Sequence, residues 1–247
     1  MTHITNGFSA FALEPFPTIE AGSDIAAAIT TVLNEQDLVL EDGDILVVAS
    51  KIVSIAEDRY VDLSTITPSA QALDIAQRTG KSPEVVQLVL DHSTDHFLGT
   101  DRGPIIATHQ LGLQLTSAGI DRAGSNGAWL LPADPDASAR ALRDTLAKAA
   151  GAQIAVVIAD SDGRADRRGA TVISIGAAGI APLRVSEHAE PGGKTKRQEE
   201  TLSDLVAAAA GVILGQRGRG APVAVLRGIA YEADDTGVAS ILHKAPR

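Results

Sequence analysis

Residues 154–158 form an unbroken apolar run, Ile-Ala-Val-Val-Ile, rich in β-branched side chains and without polar alternation. Such a run predicts a strand buried on both faces. Residues 45–49 and 222–227 read the same way, and residues 170–175 resemble a further strand. Residues 9–14 predict a first strand, closed by Pro15-Phe16-Pro17. A helical rhythm appears at Ile25, Ile29, Val32 and Leu33, with Ser23 or Asp24 as the capping residue. It returns over residues 199–214, where Leu202, Leu205, Val206, Ala209, Val212 and Ile213 share one side. Three more helices announce their starts with a capping side chain before proline: Thr67-Pro68, Ser82-Pro83-Glu84 and Asp134-Pro135. These three end at Gly80, near Asp91 and near Gly151.

Residues 104–108 and 113–117 predict a hairpin around a turn at 110–112, delivering Ala118-Gly119-Ile120-Asp121 into a loop. Residues 186–197 are polar and Gly-rich and read as a mobile surface loop. Hairpins mixed with strand–helix alternation predict an α/β or α+β fold with a mixed sheet, not a plain doubly wound one.

Composition narrows the class. The 247 residues suffice for one large domain or two small ones, and 45% apolar content excludes a disordered chain. Aromatics are only 3%, which favours α/β packing over an aromatic binding surface. Zero cysteines exclude disulfides and thiolate metal sites, and a cytoplasmic enzyme is the economical expectation. No 18-residue apolar run and no charged start followed by an apolar core are present, so neither a membrane span nor a signal peptide is expected. The net charge of −10 argues against nucleic acid as a partner, while an anionic small substrate depends on local cations and metal ions.

Candidate chemistry concentrates where the central run ends, in Asp160, Ser161, Asp162 and Gly163 followed by Arg164, Arg167 and Arg168. Carboxylates bind hard divalent ions and guanidinium forks bind phosphate, so this strand end suits a metal-plus-phosphate site. The plainer reading is an Asp-Gly turn with a solvated charge cluster. Asp121 also follows an apolar strand. If the two strands are neighbours, Asp121 and Asp160 can share Mg²⁺ or Mn²⁺, with Ser161 adding a hydroxyl oxygen. The apolar strand before Asp160-Ser161-Asp162-Gly163 also has the form of an aspartyl-phosphatase nucleophile, but too little chain follows it for the further motifs and cap. His92 and His96 have i,i+4 spacing, yet Ser93-Thr94-Asp95 between them is a poor helix, which favours surface roles. Residues 215–220, Gly-Gln-Arg-Gly-Arg-Gly, lie between a helix and a strand, so they are either a phosphate-wrapping loop or a flexible connection, not a dinucleotide fingerprint.

Several blocks in order give the chain a resemblance to the coenzyme F-420:L-glutamate ligase (gamma-glutamyl ligase) family. They are Glu14-Pro15-Phe16-Pro17; residues 43–54 followed by Ala56-Glu57; Ala118-Gly119-Ile120-Asp121; Leu130-Leu131-Pro132 with Asp134-Pro135-Asp136; residues 158–164 with Arg167 and Gly169; Gly215-Gln216; and residues 222–228. The resemblance implies one ligase-like domain over residues 1–247, with two intertwined subdomains as the alternative organisation, and often a homodimer. It implies a GTP-dependent amide ligase with divalent ions. A carboxylate of the deazaflavin precursor takes the γ-phosphoryl group, and the amine of L-glutamate attacks the acyl phosphate. It places Asp121, Asp160 and Ser161 on the metal, with Ser161 where the family has Thr. It places Phe16, Pro17, Thr18, Ile19, Ser50, Gly215 and Gln216 on the nucleotide, and Arg164 and Arg167 on the transferring phosphate.

Four departures accompany it. Ile55 stands where the family usually has a nucleotide-contacting Lys, Ala123-Gly124 where it has Ser-Asn, and Leu205 where Glu is common; residues 186–197 lack a Tyr-Gly segment. They keep open a paralogue that binds a phosphorylated ligand or partner without turnover, or a ligase with another acceptor or nucleotide.

Overall fold

A computed structural model of the chain describes residues 7–99, 104–191, 193, 195–215 and 221–243. Its centre is a five-stranded sheet in the order β1-β13-β2-β9-β10, formed by Ser9–Ala12 (β1), Val223–Arg227 (β13), Ile45–Ala49 (β2), Ala155–Gly163 (β9) and Ala170–Ala178 (β10). Only β2 and β9 run parallel; the other pairs are antiparallel, so the sheet is mixed as the pattern predicts. The apolar runs occupy its middle: Ile45 to Val48 and Ala155 to Ala159 are buried along both strands. Pro135–Ala150 (α5) and Leu202–Leu214 (α6) pack directly on β9 and β10, and Ile25–Glu35 (α1) packs beside α5.

The helix ends follow local chemistry. Asp24 accepts from Ala27 N at 2.9 Å and Asp134 from Ala137 N at 2.9 Å, each satisfying a first-turn donor. Gly80 and Gly151 close their helices in the left-handed region, at φ 69° and 67°. Thr67-Pro68 does not open its helix. Ser69 is the cap, its side chain accepting from Ala72 N, and the helix runs Ala70–Thr79 (α3). The helix predicted from 199 begins at Leu202, because residues 199–201 finish a strand.

Two smaller sheets carry their own cores. Tyr60–Asp62 (β3), Gly127–Trp129 (β8) and Asp121–Ala123 (β7) form one, in the order β3-β8-β7. Ser93–Leu98 (β4), Ile105–His109 (β5) and Gln114–Thr116 (β6) form the other, containing the predicted hairpin. Residues of α3 and of Pro83–Asp91 (α4) pack with Ile105, Ala107 and Ala118 in a second cluster, and Val85 and Leu88 of α4 meet Leu63 and Ala128 in a third. Asp121 therefore opens a short strand and is not in a loop.

The segment 186–197 is the clearest correction. Leu183–Ala189 (β11) and Thr195–Thr201 (β12) pair antiparallel from Leu183↔Thr201 to Ala189↔Thr195. Main-chain pairing needs no apolar side chain, and opposite charges face each other across the ribbon: Arg184 Nε lies 2.8 Å from Glu200 Oε2, and Glu187 stands opposite Arg197.

One ion pair fixes the start of β2. Asp44 is fully buried and accepts from Arg227 Nε at 2.8 Å and Nη2 at 2.7 Å, while Arg227 Nη1 reaches Glu41 at 2.7 Å. The last core strand is thereby tied to the turn before β2.

Candidate functional site

In the parallel pair β2–β9, Ala49 lies beside Ala159, so the next residues, Ser50 and Asp160, emerge together where the parallel pairing ends and β9 runs on to Gly163 against β10. Ligands of open α/β sheets gather at the carboxyl ends of parallel strands. Ser50 opens the short helix Ser50–Ala56 (α2), and its Oγ donates to Asp160 Oδ1 at 2.6 Å.

Asp121 comes from a different sheet. Asp162 carries it there indirectly, accepting from Thr116 N at 2.8 Å, while Thr116 Oγ1 donates to Gly163 O at 3.0 Å. These bonds dock β6 against the end of β9. A Cβ on Gly163 would stand 2.7 Å from Thr116 Oγ1, so the close approach requires glycine. Ser117, Ala118 and Gly119 then turn the chain through three successive left-handed residues, at φ 53°, 53° and 68°, and Asp121 follows. Two of them are not glycine, which marks stored backbone strain beside the site.

The result is a cavity of about 230 Å³ lined by Ser50, Lys51, Asp121, Asp160, Ser161 and Gly215 among others. Burial is the largest influence on Asp160 and pushes its carboxyl up to about 7; the Ser50 hydrogen bond pulls it back, and the charges of Asp121 and Asp162 add repulsion. Lys51 Nζ lies 3.6 Å from Asp121 Oδ2. Two carboxylates and a serine hydroxyl are hard oxygen donors, and a buried carboxyl repelled by its neighbour is relieved by a cation, so the residues fit Mg²⁺ or Mn²⁺. Among the described residues no group of three or more His, Cys, Asp or Glu is placed to hold a metal ion, so such an ion would complete its shell with water or phosphate oxygens.

The structure thus brings together Asp121, Asp160, Ser161, Ser50 and Gly215. It places Arg164 and Arg167 outside the cavity lining, in the connection from β9 to β10, where both pair with Asp166 at 3.9 and 2.9 Å. Phe16 and Ile19 rest half-buried on the main core, with Pro17 and Thr18 exposed between them, and none of the four lines the cavity. Their segment is tied to the site helix by Gly22 N, which donates to Ala56 O at 2.9 Å. Gln216 lies outside the described residues. The histidine spacing dissolves: His92 ends α4 and stacks on His109 with ring centroids 6.1 Å apart, while His96 belongs to β4. Lys51 is the site residue the motif reading passed over; its place beside Ser50, directly after a buried strand, was the available signal.

A larger cavity, about 790 Å³, opens at the other end of the same strands, beside Gly43, Gln153 and Tyr231. Its Arg143 is engaged by Asp144 and Asp235, and no part of the proposed chemistry lies there.

Known proteins resemble the chain over most of its length. A family model described as F420-0:Gamma-glutamyl ligase matches residues 15–228. The chain is 38% identical over 242 residues to the coenzyme F420:L-glutamate ligase of Methanothermobacter thermautotrophicus, covering 96% of either chain. It is 34% identical over 236 residues to that of Methanosarcina mazei, covering 94% of this chain and 90% of the relative. Against that of Archaeoglobus fulgidus the identity is 35% over 223 residues, covering 89% and 87%. No helix among the described residues is long and apolar enough to cross a membrane. Matched over most of its length by family and relatives alike, the chain is a ligase and belongs to the F420-0:gamma-glutamyl ligase family.

Proposed function

We propose that the protein joins L-glutamate to a deazaflavin-cofactor precursor, using GTP and a divalent ion, Mg²⁺ or Mn²⁺. The observation that carries this is the convergence of Asp121 and Asp160 at the carboxyl end of the parallel pair, in a chain of this family. A carboxylate oxygen of the precursor attacks the γ-phosphorus, and GDP leaves with the bridging oxygen. The amine of L-glutamate then attacks the acyl carbon, the amide forms, phosphate departs and the amine's proton passes to solvent. When bound, the divalent ion offsets charge on the phosphate oxygens.

The chain's own residues do the positioning. Asp121, Asp160 and Ser161 present oxygens to the ion, and Ser50 fixes the carboxylate of Asp160. Gly215, at the end of α6, brings backbone to the cavity wall for the nucleotide, with Gln216 following it. Phe16 to Ile19 would form the nucleotide's outer contacts, and Arg164 and Arg167 would turn from Asp166 to the phosphate. The same reading carries a homodimer, checked by light scattering.

Incubation with precursor, L-glutamate, GTP and Mn²⁺ should give a product heavier by one glutamyl unit, with release of GDP, read by mass spectrometry. Absence of product across nucleotides and metals rejects the reading. Metal and nucleotide binding without GDP release would favour the non-catalytic paralogue that Ile55 and Gly124 motivate.

A further inference from the structure

Ser50 and Lys51 are neighbours at the start of α2, and each engages a different candidate metal carboxylate. Ser50 Oγ bonds Asp160 at 2.6 Å; Lys51 Nζ faces Asp121 at 3.6 Å. The two contacts differ in kind. The first is a short hydrogen bond to a carboxylate, which holds its partner's orientation. The second is longer than a direct hydrogen bond, and the two side chains are 40% and 44% exposed, so it is a weak, screened and readily exchanged pair.

Among the described residues lining the cavity, Lys51 alone is cationic, against the carboxylates of Asp121 and Asp160. With both carboxylates ionised, as metal binding requires, the described lining carries an excess of one negative charge, the wrong sign for a polyphosphate. A divalent ion on the carboxylates reverses that excess to one positive charge, but only if the ammonium stays in the cavity. The lysine stem is flexible, and its compact ammonium binds phosphate as a point charge.

We propose that Lys51 is an exchangeable counter-ion: it holds Asp121 until a divalent ion displaces it, and its ammonium then passes to a phosphate oxygen of the incoming nucleotide. Metal binding and phosphate binding are coupled through one side chain. This rests on the metal reading given above, and the test separates the two. It also gives the site a cation on the helix whose next turn carries Ile55.

The experiment titrates the full chain with Mn²⁺ alone, followed by electron paramagnetic resonance of free Mn²⁺, and then with inorganic tripolyphosphate with and without Mn²⁺. Lys51→Met should bind Mn²⁺ alone about two- to fivefold more tightly, the size set by losing an exposed competing ion pair. The same variant should lose about tenfold or more of its Mn²⁺-dependent tripolyphosphate affinity, since one charged contact is gone. Lys51→Arg should restore most of that affinity. Lys51→Met with unchanged or weaker Mn²⁺ affinity, or with unchanged tripolyphosphate affinity, overturns the proposal while leaving the metal site standing. A wild-type protein that takes no Mn²⁺, or an Asp160→Asn variant that takes it equally well, removes the two-carboxylate reading and this one with it.

Discussion

Ser50 Oγ and Asp160 Oδ1, 110 positions apart in the chain, meet at 2.6 Å because β2 and β9 are parallel and in register. The bond orients a carboxylate that burial alone would keep protonated near neutral pH. Ser50→Ala removes the orienting donor without adding bulk. Mn²⁺ affinity should fall about 10–100-fold, the usual cost of losing such a supporting bond, with little change in thermal midpoint. Unchanged Mn²⁺ affinity would show that Asp160 needs no support.

The raised carboxyl of Asp160 makes stability fall with rising pH in metal-free protein. Its native value of about 7 lies above the ordinary carboxylate value of 3.8. Between those values the unfolded chain has released a proton that the native state retains, so stability declines as pH rises through that window. His109 works in the opposite direction. Burial, with the charges of His92 and Arg59, depresses it from 6.5 to about 4. Acidification from 6.5 to 4 therefore protonates the unfolded chain first and destabilises the fold. The two slopes oppose each other over much of one range, so the difference between wild type and Asp160→Asn isolates the first. That difference should grow from pH 4 to 7 in metal-free protein and shrink when Mn²⁺ is added; a pH-independent difference in thermal midpoint would refute it.

Gly163→Ala places a methyl against Thr116 Oγ1, where 2.7 Å is available. Relief requires β6 to move away from β9, and Asp121 moves with it. Overpacking of this kind costs about 1–3 kcal/mol. Turnover should fall further than stability implies, by about 10²-fold, because a shift near 1 Å misaligns reacting groups. Urea unfolding and GDP release, measured on the same variant, check both numbers.

Arg227→Ala leaves the fully buried Asp44 without its two-pronged partner. Breaking a buried pair from one side costs about 3–5 kcal/mol, read as a lowered urea midpoint. Asp44→Asn with Arg227→Met together should recover part of that loss, since no buried charge remains.

Much of this fold was legible because its signals are local. The two-face apolar runs at 45–49 and 154–158 lie in the middle of the sheet, and Asp24, Ser82 and Asp134 stand at the helix starts they announce. Thr67-Pro68 misled by two residues because Ser69, a better-placed cap, follows at once. The ribbon β11–β12 was hidden because its stability lies in main-chain pairing and cross-strand charge, which leave no apolar rhythm. The site was half legible. Asp160 is announced by its strand, whereas its meeting with Asp121 depends on the bonds from Thr116 to β9 and on a left-handed turn, neither of which leaves a sequence period. Lys51 lies within the block at 43–54, but its pairing with Asp121 is visible only in the structure.

The two candidate metal carboxylates stand on separate sheets with separate hydrophobic clusters: Asp160 on the central sheet, Asp121 beside the small one packed around Ala128 and α4. An ion held by both is then a rivet between the two sheets. At one hundred times its dissociation constant it would add about 2.7 kcal/mol to the native state, and that gain falls on the seam between them. Amide hydrogens of β7 and β8 should accordingly exchange more slowly when Mn²⁺ is present, while those in the middle of β2 and β9 are already protected by the core.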